Sequence, residues 1–67
     1  MQVKANQDIR IACRDRGFKL WELAEALGMN DSNLSRKLRR ELSGSEKDHL
    51  LKVIEQMYEY REVHRND

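Results

Sequence analysis

The stretch at residues 23–40, LAEALGMNDSNLSRKLRR, decides the fold of this 67-residue chain. Apolar residues recur at helical spacing before Gly28, and a more polar helical pattern follows. Glycine readily adopts positive φ, so Gly28 is expected to end the first helix and turn the chain into the second. The second helix has few apolar residues and ends in RKLRR, so it must be held by its neighbours. The stretch therefore predicts two short helices joined by a tight corner.

The other glycines divide the remainder of the chain in the same way. Gly17 and Gly44 are the only other glycines, and the chain has no proline to interrupt a helix. No segment alternates apolar and polar residues with β-branched enrichment, as a strand would. The sequence therefore predicts one all-α domain, a compact bundle of four short helices. These helices are expected at about residues 6–16, 20–27, 31–40 and 45–62, with a frayed tail at 63–67.

Several side chains have a predicted place in this bundle. Asn6 is expected to cap the first helix with its side chain. Trp21 lies beside the apolar stripe of the second helix, where it either closes the edge of the core or stays partly exposed; the first is favoured because an indole covers much area. The last helix is apolar over a broad arc, so it has more than one surface to cover. Its glutamates are expected to pair with Lys52 and Arg61 of the same helix.

Charge is unevenly distributed although the net charge is only +1. Residues 1–40 hold nine Lys/Arg and five Asp/Glu, which gives +4; residues 41–67 hold four and seven, which gives −3. This asymmetry is typical of a basic working face and an acidic back. A merely solvated surface is the plainer alternative.

Other function classes are disfavoured by what the sequence contains. There is no run of ~20 apolar residues for a membrane span and no apolar signal segment at the start. The single cysteine, Cys13, predicts a packed thiol in a reducing cytoplasm. His49 and His64 lack the neighbouring ligands of a zinc site. We therefore expect no metal, no cofactor, no small-molecule substrate and no enzymatic activity.

The central stretch has the internal pattern of a helix-turn-helix, in which two helices cross closely at a sharp turn. The predicted inner residues are Leu23, Ala24, Leu27, Gly28, Met29 and Leu34. With this spacing, the run LWELAEALGMNDSNLSRKLRREL resembles the Cro/repressor-type (lambda repressor-like, Xre-like) helix-turn-helix family. It looks most like the small regulators of phages and mobile elements of Gram-positive bacteria. The resemblance covers about residues 5–57.

The resemblance implies a cytoplasmic, sequence-specific DNA-binding transcriptional regulator that acts as a homodimer on double-stranded DNA. Helix 31–40 would enter the major groove. The base-reading positions of the family fall on Asp31, Ser32, Asn33 and Arg36. Phosphate contacts are expected from Lys19, Asn30, Lys37, Arg39 and Arg40.

The sequence departs from the family pattern at two places. Leu20 stands where the family usually has a phosphate-binding Gln, and Lys19 stands at the usual Ser/Thr cap. The family's fifth, dimerising helix has no counterpart after helix 45–62. Dimer contacts are therefore expected from helix 45–62, the tail or the N-terminus.

Two alternatives stay open at the level of sequence. Asp31 either caps the N-terminus of the third helix or accepts a bond from cytosine N4. The chain as a whole is either a DNA-binding regulator or a protein-interaction module with the same fold. A membrane-surface role is disfavoured because the last helix is acidic and anionic lipid would repel it.

Overall fold

A computed structural model describes residues 5–64, and all regular structure in that range is helical. Four helices follow one another: α1 is Gln7–Asp15, α2 is Leu20–Leu27, α3 is Asp31–Lys37 and α4 is Gly44–Val63. The predicted all-α class is confirmed. α2 packs against each of the other three helices, and α1 also packs along α4. Within residues 5–64, no helix combines the length and apolar character needed to cross a bilayer.

Every helix contributes side chains to one core. Its buried apolar side chains are Ile9, Cys13, Leu23, Ala24, Leu34, Leu38, Leu50 and Ile54. Around them pack partly buried residues, among them Phe18, Leu27, Met29 and Met57. Ala24 is small enough for α3 to lie close to α2. The Cys13 thiol lies 3.5 Å from the Phe18 carbonyl oxygen, and burial raises the pKa of this thiol, with Glu22 adding to the effect.

Glycines with left-handed backbone end the first two helices. Gly17 has φ 81°, and the Phe18 amide donates to the Cys13 carbonyl at 3.0 Å. Gly28 has φ 75°, and the Met29 amide donates to the Ala24 carbonyl at 3.0 Å. In each case the left-handed residue brings the next amide back to an otherwise unpaired carbonyl of the last turn. The corner predicted at Gly28 therefore rests on an identifiable turn.

α3 is shorter than the sequence predicts. It ends at Lys37, whereas the predicted helix runs to residue 40. In a continuing helix, the Leu42 amide would donate to the Leu38 carbonyl. Here the Asn6 side-chain amide occupies both groups: its Nδ2 donates to Leu38 O at 2.9 Å, and its Oδ1 accepts from Leu42 N at 3.0 Å. Nδ2 also donates to Arg40 O at 2.6 Å. Arg39 and Arg40 consequently follow the helix instead of forming its last turn.

Asn6 is the N-cap residue of α1, as predicted, but its side chain makes no capping hydrogen bond. That side chain is fully buried against the segment after α3. Its backbone takes the left-handed conformation, with φ 59°, which asparagine tolerates better than most residues. Its own amide donates to the Glu41 carboxylate at 2.9 Å. Asn6 therefore joins the start of α1 to the segment at 38–42.

α4 begins one residue before the predicted start and extends one residue past the predicted end. The Ser43 hydroxyl caps the helix, because it accepts from the Glu46 amide at 3.3 Å. Val63 is still helical and His64 caps the helix. The rest of the predicted frayed tail, residues 65–67, lies outside the described residues.

Two expectations about side chains on α2 and α4 are wrong. Trp21 does not close the core, because about half of this residue's surface (51%) is exposed. Glu55 pairs with Arg16 of the α1–α2 turn at 2.6 Å, instead of with a neighbour on α4. Arg61 donates to the Arg16 carbonyl and lies 4.3 Å over the Phe18 ring. These contacts fasten the first turn to α4.

Candidate nucleic-acid interface

The candidate interface is built on the exposed side of α3. α3 is held from behind by Leu34, which is fully buried, and by Leu38 just after it. Leu34 lies in the same core cluster as Leu23 and Ala24 of α2. Since its inner side is anchored in this way, the rest of this seven-residue helix faces solvent.

Asn30 fixes the beginning of α3. Its side chain accepts a hydrogen bond from the Asn33 amide at 2.9 Å, which satisfies one of the unpaired donors of the first turn. The side-chain cap is therefore Asn30 and not Asp31. Asp31 occupies the first turn, where its negative charge suits the helix dipole. Its carboxylate is exposed and makes no hydrogen bond or ion pair with any residue from 5 to 64.

A shallow hollow of about 330 Å³ lies along the outer side of α3. It brings together three of the four predicted base-reading residues and one predicted phosphate contact. A further residue, Ser35, was not predicted. The residues around the hollow are Asp31, Ser32, Ser35, Arg36 and Arg39. The spacing Ser32–Ser35–Arg36–Arg39 follows one helical face, so a helical-wheel analysis could have found Ser35.

Three guanidinium groups in this region are free for a ligand. Arg36, Arg39 and Arg40 are all exposed, and within residues 5–64 none of their guanidinium groups forms an ion pair or hydrogen bond. A guanidinium group that has no partner in the protein remains available to bind an anion or a base edge. Arg39 lies beside Arg36 at the hollow although the helix has already ended.

The other predicted phosphate contacts are placed differently. Lys37 is exposed on α3, but its ammonium lies 2.8 Å from the Glu46 carboxylate of α4. This bond holds the pKa of Glu46 below its ordinary value. Lys19 is exposed immediately before α2, where its backbone amide donates to the Glu22 carboxylate at 2.8 Å. Neither lysine borders the hollow, and neither does the exposed Asn33.

Of the predicted inner residues of the helix-turn-helix, Leu23, Ala24 and Leu34 are buried in the core, whereas Gly28 is exposed. Leu27 and Met29 are half-buried and border a second surface depression near Lys37 and His49. Gly28 has open space where a β-carbon would be, so its positive φ, and not crowding, is what favours glycine there.

Comparison with known proteins adds no relative: no family model, no curated protein and no solved structure matches this chain.

Proposed function

We propose that the protein is a sequence-specific DNA-binding transcriptional regulator in which α2, the Gly28 corner and α3 form a helix-turn-helix. The observation that carries the proposal is the hollow along α3, where two unpaired guanidinium groups stand beside hydroxyl groups. Short hydroxyl side chains and arginine are what a helix needs to meet base edges in the major groove.

Each residue of this surface has a chemical role in the proposal. Arg36 would donate two parallel hydrogen bonds to guanine O6 and N7. Ser32 and Asn33 offer donors and acceptors to neighbouring bases, and Asp31 would accept from cytosine N4. Since the side-chain cap is already supplied by Asn30, a base contact does not compete with capping.

The phosphate contacts would come from residues around this reading surface. Asn30, Lys19, Arg39 and Arg40 are exposed, whereas Lys37 must first leave Glu46. Glu46→Gln removes that competitor, so it should strengthen binding to every duplex. Two copies of the protein on a palindromic site would place two α3 helices in successive major grooves.

The test begins with selection of bound sequences from random DNA, followed by titration of the selected and a scrambled duplex. Two bound copies with Lys19, Arg39 and Arg40 each would neutralise six phosphates, so affinity should fall roughly 2,000-fold between ~50 and ~200 mM salt. Arg36→Ala should lower affinity for the selected duplex by about 5- to 150-fold per half-site, equivalent to ~1–3 kcal/mol, with little effect on the scrambled one. Arg40→Ala is the matched control, since it should weaken both duplexes equally.

The alternative is a protein-interaction module with the same helices. Asp31 favours it, because an exposed carboxylate at the start of α3 repels phosphate. Absence of binding to any duplex at low salt, or binding that does not respond to salt, would support this alternative and overturn the DNA-binding proposal.

A further inference from the structure

An open groove runs between α2 and the second half of α4, away from the proposed DNA-binding surface. Its volume is about 640 Å³, and no residue of α3 lines it. Val53 and Met57 form a half-buried apolar floor. Trp21 and Tyr60 border it with exposed fractions of 51% and 66%. An indole and a phenol ring this exposed at the border of one groove are typical of a protein contact surface.

Charges on the neighbouring stripe of α4 indicate what covers this groove. Lys52, Gln56 and Glu59 are exposed and follow one another at helical spacing. Among the described residues, neither Lys52 nor Glu59 takes part in an ion pair, whereas Glu55 of the same helix binds Arg16 and Arg61 donates a hydrogen bond to the Arg16 carbonyl. A positive and a negative charge thus stand unpaired on either side of Gln56.

This arrangement is complementary to itself when one copy is reversed. Suppose that α4 packs antiparallel against α4 of a second copy, with Gln56 at the two-fold axis. Lys52, four residues before Gln56, then lies ~6 Å from it along the helix on one side, at 1.5 Å per residue. Glu59 of the partner subunit lies ~4.5 Å along the same side, so the two charges are nearly level. Two-fold symmetry forms this pair twice. Tyr60 of the partner subunit would lie at the level of Val53, over the groove.

From this geometry we propose that the α2–α4 groove is the homodimer interface, in which α4 of two copies packs antiparallel with paired Lys52 and Glu59. Because no residue of α3 lines the groove, the second copy leaves the α3 surface open. The pairing does not depend on DNA binding, so either proposal stands or fails without the other.

The first experiment measures the mass of the native chain across a range of concentrations by sedimentation or light scattering. The mass should rise from that of one 8.0-kDa chain to twice that value. Trp21 is the sole tryptophan, so its fluorescence should move to shorter wavelength with the same concentration dependence. A chain that stays monomeric at every concentration, or dimerises with unchanged Trp21 emission, would overturn the proposal.

Charge reversal then tests the antiparallel register. Lys52→Glu alone and Glu59→Lys alone each replace two attractions by two repulsions, and each should weaken dimerisation at least roughly tenfold. Mixing the two variants should restore a heterodimer, because both contacts become attractive again. Arg14→Glu makes the same change of charge at an exposed position of α1 and should leave dimerisation unchanged. Failure of the mixture to associate would exclude this register.

Tyr60→Ala tests the groove itself while Trp21 still reports. Tyr60 is exposed and outside the core, so circular dichroism should show an intact fold. Dimerisation should weaken roughly tenfold, as expected when an aromatic anchor is removed. An unchanged dissociation constant would mean that the groove is not part of the interface.

Discussion

Asn6→Ala is expected to cost this small domain a large part of its stability. The Asn6 side chain is fully buried and makes three hydrogen bonds, to the backbone of Leu38, Arg40 and Leu42. Alanine removes all three and leaves two carbonyls and one amide without this partner. Because the Leu38 contact is buried, water cannot easily replace it.

The expected magnitude follows from these contacts. Three hydrogen bonds at ~0.5–1.5 kcal/mol each give roughly 3 kcal/mol. Alanine also tolerates the left-handed backbone at φ 59° less well than asparagine, which adds about 1 kcal/mol. A domain of this length has only ~3–10 kcal/mol in total. Asn6→Ala should therefore be partly or wholly unfolded in water, or show a urea midpoint lower by ~3 M.

Urea titration followed by circular dichroism and Trp21 fluorescence measures this change. Asn6→Gly separates the two contributions, since it loses the same hydrogen bonds without the cost of a β-carbon at positive φ; it should be less destabilising than alanine. Asn33→Ala is the matched control, because Asn33 is exposed and only its backbone amide, not its side chain, takes part in a hydrogen bond within residues 5–64. A loss below ~0.5 kcal/mol for Asn6→Ala, the range of ordinary surface substitutions, would refute this account of Asn6.

Three further changes are expected. Asn30→Ala should destabilise the fold by ~1 kcal/mol through loss of the α3 cap, measured by urea titration, and Asn30→Ser should recover most of it. Lys47 and the Asn6 amide hold the pKa of Glu41 below its ordinary value of 4.5. The contribution of the Glu41 carboxylate to folding is therefore complete above that pH, and the free energy of unfolding should fall as acid protonates Glu41 in the folded state. Glu41→Gln should flatten this part of the pH profile. Glu41 raises the pKa of Lys47 above 10.5, so the same contact should also weaken as pH rises beyond that value. The Cys13 thiol should react with a thiol reagent only as fast as the fold opens, and immediate modification of the native protein would contradict its burial.

The sequence predicts the local features of this fold well. α2 has the predicted bounds because its apolar stripe is regular and Gly28 stops it. The end of α1 follows from Gly17 in the same way. Helical periodicity also separates buried Leu34 from its exposed neighbours on α3. Each of these signals involves residues within about one or two helical turns of each other, so it can be recognised in the sequence without knowledge of the tertiary contacts.

Features that depend on contacts distant in sequence are not predictable in this way. The Asn6 contacts join residues more than thirty positions apart, and the local pattern around Asn6 fits a helix cap equally well. Glu55 likewise binds Arg16 across the fold, although a partner on its own helix looks equally suitable. Trp21 is exposed because α4 leaves a groove beside it, which no property of α2 alone reveals.

The early end of α3 changes which cations act together in the proposed interface. In a helix that continued through residue 40, Arg39 and Arg40 would both lie one turn beyond Arg36 and on the same side. Instead, Asn6 binds the backbone after Lys37, and Arg39 lies with Arg36 at the hollow. Arg39 is therefore the cation nearest to a base edge or phosphate held by Arg36, whereas Arg40, whose carbonyl accepts from Asn6, does not border the hollow. A single buried amide near the start of the chain thus determines how charge is presented at the other end of α3.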